Sequence, residues 1–99
     1  MDIERMRSNV QEASALLKSL SNPNRLLVLC ALLTREHTAG ELEELTGLSQ
    51  SAISQHLARL RDEQIVATRR DGQRIFYSLT STHVTAMIET LHGIYCVEH

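Results

Sequence analysis

Apolar positions along the chain fall into five stretches with helical spacing and two with strand character. Ile3, Met6, Val10, Ala13, Leu17 and Leu20 alternate intervals of three and four, which puts them on one side of a helix over residues 3–20. Ser21-Asn22-Pro23 caps and opens a second helix over 22–34, with the proline at a tolerated early position and Leu26, Leu29, Cys30 and Leu33 on the inward face. Thr38-Ala39-Gly40-Glu41 has the form of a capping box for a third helix over 39–46, which carries Leu42 and Leu45 and stops at Gly47. Ser49 caps a fourth over 49–63, where Ile53, Leu57 and Leu60 form an inward stripe. The β-rich runs Ile65–Arg70 and Arg74–Leu79 flank Asp71-Gly72, a hairpin signal, over 65–79. Val84, Met87, Ile88, Leu91 and Ile94 or Tyr95 line a last helix over 81–96. A short helix, a glycine turn, a second capped helix and a two-stranded wing make a winged helix-turn-helix, so the fold class is mainly α and residues 1–99 form one domain.

The fourth helix carries the most informative polar pattern. Opposite its apolar stripe lie Ser51, Ser54, Gln55 and Ala58, a short, uncharged row able to enter a groove of double-stranded DNA. Gln can pair with the N6/N7 edge of adenine, and Ser donates to or accepts from several bases. Arg59 follows on the same helix, while Arg69, Arg70 and Arg74 cluster near the wing tip, where arginines suit phosphates or the minor groove. The competing interpretation is a solvated helix face on a winged domain used for protein contacts.

Charge sharpens this picture by its distribution rather than its sum. The net charge of −2 gives no generally basic surface, yet Leu48 to Ser78 holds five arginines against Asp62, Glu63 and Asp71, a local +2 in a chain that is −4 elsewhere. DNA affinity should therefore fall steeply with salt, as counterions recondense on the phosphates. No apolar run is long enough for a membrane helix and the N-terminus lacks a signal peptide's apolar stretch, so a soluble, cytoplasmic protein is expected. A helix-turn-helix core cannot cover both terminal apolar stripes by itself. They point to a homodimer through the first and last helices, the alternative being packing within one chain. A twofold dimer presents two reading helices about one DNA turn apart, which calls for an inverted-repeat operator. No Gly-rich phosphate loop or recognisable nucleophile motif is present, so neither an enzyme nor a cofactor is expected.

Three segments carry a family resemblance. Leu20-Ser21-Asn22-Pro23-Asn24-Arg25-Leu26, Leu48-Ser49-Gln50-Ser51-Ala52-Ile53-Ser54-Gln55-His56-Leu57 and Gly72-Gln73-Arg74-Ile75-Phe76-Tyr77-Ser78-Leu79 resemble, in this order, the ArsR/SmtB family of small dimeric winged-helix regulators. Cys30 and Cys96, the latter in Leu91-His92-Gly93-Ile94-Tyr95-Cys96, resemble the HlyU/BigR/SqrR/YgaV-type dithiol branch. The resemblance implies a transcriptional regulator, usually a repressor when reduced, whose cysteines respond to oxidants or reactive sulfur. It also implies that Gln50, Ser51, Ser54 and Gln55 read DNA, while the place of His56 between the buried stripe and the groove face leaves its role open and favours packing or support of a neighbouring contact residue. A direct Cys30–Cys96 bridge needs Cα atoms about 4.4–6.8 Å apart, and inserted sulfur atoms would span slightly more.

The metal-binding patterns of the wider family are largely missing here. The thiolate cluster used for arsenic or cadmium would fall in Gly40-Glu41-Leu42-Glu43-Glu44-Leu45, which has no cysteine. The zinc positions of the last helix hold Ser81, His83, Ile94 and Val97, of which only His83 is a ligand type. No metal is therefore expected, although His92, Glu98 and His99 leave open a weak, non-standard metal site near the C-terminus. A regulator without an inducer, which acts by competing with other DNA-binding proteins at a promoter, is a further alternative.

Overall fold

Local capping sets where each helix begins. In the computed structural model, which describes residues 2–96, Asp2, Asn22, Thr38, Ser49 and Ser81 each accept a hydrogen bond from the backbone N–H three residues on. They open α1 (Ile3–Leu20), α2 (Pro23–Thr34), α3 (Ala39–Thr46), α4 (Gln50–Asp62) and α5 (Thr82–Tyr95). At α3 the capping box is complete: the Glu41 N–H donates to Thr38 Oγ1 at 3.2 Å, and the Thr38 N–H donates to Glu41 Oε1 at 2.9 Å. Gly47, left-handed at φ 75°, ends α3 with its N–H on the Glu43 carbonyl and turns the chain into α4.

The sheet holds one strand more than the sequence pattern predicts. β1 (His37–Thr38), β2 (Val66–Asp71) and β3 (Arg74–Leu79) are antiparallel in the order β1-β3-β2. Two residues are too short to show a period of two, which is why β1 escapes notice. Its partners are Tyr77 and Phe76 on β3. The wing turn also shifts by one residue: Asp71 pairs with Arg74, leaving Gly72-Gln73 as the two-residue loop, with Gly72 at φ 63°. A glycine at the first loop position is the second common solution to the tight hairpin, so Asp71 ends a strand instead of entering the turn.

α2 lies at the centre, against α3, α5 and β3. Its buried stripe is Arg25, Val28, Leu29 and Leu32, whereas Leu26, Cys30 and Leu33, expected inward beside Leu29, are only partly covered. The run Leu26-Leu27-Val28-Leu29-Cys30-Ala31-Leu32-Leu33 is apolar nearly all round, so periodicity cannot choose the facing stripe. Neighbours on several sides choose it. Leu42, Ile53, Leu57, Leu60, Ile65, Val66, Val84 and Ile88 complete the core with Leu20 from α1. Each such side chain contributes about 1.5–3 kcal/mol by leaving water.

The terminal helices divide their apolar stripes between core and solvent. In α1 only Leu20 is buried, while Ile3, Met6, Val10 and Leu17 are exposed. In α5, Val84 and Ile88 are buried, Met87 and Leu91 pack against the core, and Ile94 and Tyr95 are exposed. Packing within the chain thus accounts for one end of each stripe. No helix among the described residues is long and apolar enough to cross a membrane.

Candidate nucleic-acid interface and thiol pair

α4 is held by its apolar side. Ile53, Leu57 and Leu60 are buried, leaving Gln50, Ser51, Ser54, Gln55, Ala58 and Arg59 in solvent along the opposite face. The Ser49 hydroxyl caps the Ala52 N–H and lies 3.4 Å from the Ser51 hydroxyl, so the serines at the helix start share a local network. Arg59 and Arg61 in the last turn suit the negative end of the helix dipole. His56 is half-buried between the two faces. Burial, and secondarily the positive charge of Arg25, hold its pKa below the usual histidine value.

Two features at this interface have no counterpart in the sequence pattern. Arg25, whose charge reaches His56 of α4, is buried, donating from Nη1 to the Ser19 carbonyl at 2.7 Å while its Nε has no partner. Ser19 also donates its hydroxyl to Glu63, the C-cap of α4, at 2.9 Å, so the end of α1 grips the end of α4. Beyond that cap, Gln64 is left-handed at φ 60°. Its N–H bonds the Arg61 carbonyl and that of Ile65 bonds the Leu60 carbonyl, a Schellman closure without the customary glycine.

The wing arginines have distinct surroundings. Arg70 is exposed near the turn and donates to the Gly72 carbonyl at 3.1 Å. Arg74, also exposed, stacks its guanidinium 4.9 Å from the Phe76 ring centroid. Arg69 lies over the same ring at 4.5 Å and is clasped by Glu36, with Nε 2.9 Å from both carboxylate oxygens and Nη2 also bonded to Oε1. These bonds keep the Glu36 carboxyl below the usual carboxylate range. Glu36 had no motif to announce it, since it sits in a linker, and Phe76, though inside one of the family-like segments, reads there as an ordinary strand residue.

The thiols sit on packed neighbours, Cys30 on α2 and Cys96 at the end of α5. Both are free, Cys30 half-buried and Cys96 exposed. Burial pushes the Cys30 pKa up, and the nearby Cys96 thiolate pushes it further. Cys30 opens into a shallow groove with Leu27, Ala31, Leu45, Thr46 and His92. Leu45 faces this groove, 60 % exposed, so of the two leucines on α3 only Leu42 serves the core. His83 is exposed on α5, and among the described residues no three His, Cys, Asp or Glu side chains gather to hold a metal. Val97, Glu98 and His99, the other positions considered for such a site, lie outside the described residues.

Known proteins share both this architecture and this sequence. Residues 22–68 match the family described as bacterial regulatory protein, arsR family. Transcriptional activator HlyU of Vibrio cholerae is 50 % identical over 96 residues, covering 97 % of this chain and 89 % of that protein. HTH-type transcriptional regulator YgaV of Escherichia coli is 49 % identical over 96 residues, covering 96 % of this chain and 97 % of that one. The crystal structure of the transcriptional repressor BigR from Xylella fastidiosa superposes with a TM-score of 0.90 at 40 % identity, covering 99 % of this chain and 100 % of the other. Identity and structural likeness across nearly the full length of such relatives make this chain a member of the ArsR family and a DNA-binding transcriptional regulator of the HlyU/BigR type.

Proposed function

We propose that two copies of this chain bind an inverted-repeat operator, and that oxidation or persulfidation of Cys30 and Cys96 controls the affinity. The observation that carries the DNA half is the solvent-facing row Gln50, Ser51, Ser54, Gln55 and Arg59 on a helix whose opposite side is anchored in the core. The row enters the major groove, with Gln55 and Ser54 reading base edges and Arg59 meeting phosphate. Arg70 and Arg74 bring the wing to the backbone or minor groove. The exposed apolar residues of α1 and the end of α5 supply the homodimer contact, and the protein works in the cytoplasm, where reduced thiols are the resting state.

The sulfur half is supported by the electrostatic influence of Cys96 on Cys30 across the α2–α5 contact. When the pair closes, two thiols lose two electrons and two protons, which reduce a peroxide to two waters. With a polysulfide, one thiolate instead takes up a sulfane sulfur and a shorter polysulfide leaves; the second thiolate then attacks the cysteine sulfur of the protonated persulfide, forming the bridge and expelling hydrosulfide. Either bridge ties α2 to α5 and alters the spacing of the reading helices. A coupling of about 1–3 kcal/mol would change affinity roughly 5- to 150-fold. One relative is named an activator and another a repressor, which favours a second mode in which bound protein acts by displacing a competing DNA-binding protein.

The test begins with duplexes selected from a random library by the reduced protein. Enrichment of an inverted repeat is expected, with Gln55→Ala relaxing the preference at one position per half-site. Peroxide or polysulfide should weaken binding of the wild type and leave Cys30→Ser and Cys96→Ser unaffected. If those variants respond as the wild type does, the thiol assignment fails while the DNA assignment stands.

A further inference from the structure

The Glu36–Arg69 clasp changes the charge that the wing offers to DNA. Glu36 lies between the end of α2 and β1, and β1 pairs with the very part of β3 that carries Phe76: Thr38 is opposite Phe76 on one side and Arg69 is opposite it on the other. Phe76 is buried, so the ring under the Arg69 guanidinium is a fixed platform. Arg69 is therefore held by three independent constraints: its strand register, the ring beneath it and two carboxylate oxygens in front of it.

A single exposed ion pair is worth only about 0–1 kcal/mol, and by itself a phosphate would compete with it. Here competition carries a second penalty. Drawing Arg69 onto a phosphate would strip Glu36 of its partner and leave a carboxylate facing the DNA backbone, where like charges repel. Beyond a few ångströms the clasped pair has no net charge, so it releases no counterions.

Resting on the DNA-binding reading above, we propose that Glu36 is a positioning residue of the wing: it confines Arg69 to bracing Phe76 and withholds that positive charge from the phosphates. The wing then meets DNA through Arg70 and Arg74 alone. Arg74 shares the braced ring, so the same clasp fixes the platform from which it reaches outward. The clasp also joins the wing to the C-terminal end of the helix bearing Cys30.

The salt dependence of binding tests this directly. Affinity of the reduced, full-length protein is measured from 50 to 200 mM salt on a random-sequence duplex and on the selected operator, for wild type, Glu36→Gln, Arg69→Gln and the double variant. Each phosphate contact steepens the plot of log affinity against log salt by about 0.9, or roughly a 3-fold further loss over that range. Glu36→Gln should steepen it by about one contact and the double variant should restore the wild-type slope, whereas Arg69→Gln, which leaves the Glu36 carboxylate unpaired beside the backbone, should make it shallower. Thermal melting confirms that each variant is folded, as expected for substitutions of these solvent-accessible side chains. A double variant with a shallower slope than wild type would mean that Arg69 already meets phosphate, and an unchanged slope in Glu36→Gln would mean that nothing is withheld; either overturns the proposal and leaves DNA binding intact. Absence of wild-type affinity for both duplexes would overturn the DNA reading, and this inference with it.

Discussion

Gln64 shows how a single residue sets the angle between reading helix and wing. It is the one non-glycine residue with positive φ among the described residues, and it closes α4 while Ile65, directly after it, enters the core. An L-residue in that conformation costs about 1–2 kcal/mol, part of which glycine would recover, offset by its greater freedom in the unfolded chain. Gln64→Gly should raise the unfolding free energy by about 0.5–1 kcal/mol in urea titration, with an unchanged m-value. Cys30 offers a second test at this scale. Because burial and Cys96 raise its pKa, less thiolate is present at neutral pH than for a free cysteine, so alkylation should be slow there. Mass spectrometry of iodoacetamide adducts should find the exposed Cys96 labelled first at pH 7, and the Cys30 rate still rising at about pH 9, where an ordinary thiol is half ionised. A Cys30 rate that levels off below that pH would contradict its placement.

Among the elements, α3 depends most on its ends. It has only eight residues, too few for an isolated helix to persist in water, and the Thr38–Glu41 box satisfies donors at its start. Thr38→Ala should destabilise the fold by about 1 kcal/mol, and a melting curve identical to wild type would show the box to be dispensable. This box, the Gly47 stop and the Ser49 cap were all legible in the sequence, because capping chemistry is local and uses few residue types. So was the exposed row on α4, since the stripe Ile53, Leu57 and Leu60 fixes the opposite face. What stayed hidden depends on distant partners. The buried side of α2 is chosen by α3, α5 and β3, β1 exists only because β3 lies beside it, and the Glu36–Arg69 pair spans 33 positions. No window short enough to read a period contains such information.

For the whole molecule, the unequal anchoring of its two ends decides what association must do. α1 has eighteen residues, about 27 Å of helix, yet only Leu20 at its far end is buried. Leu17 is 56 % exposed on the stripe assigned to the homodimer. Leu17→Asp should therefore yield monomers by sedimentation and abolish tight operator binding, with little loss of stability in the core. In the proposed homodimer an outer arm with so few contacts of its own would gain order from its neighbour, so dilution below the dimerisation constant should lower the helical circular dichroism as α1 frays. In a cell, the number of copies would then set the fraction of chains with a formed arm. On the proposed dimer, gene dosage would become an input to this regulator alongside the proposed sulfur control, and a promoter under its control would respond to synthesis rate even when the thiols never change.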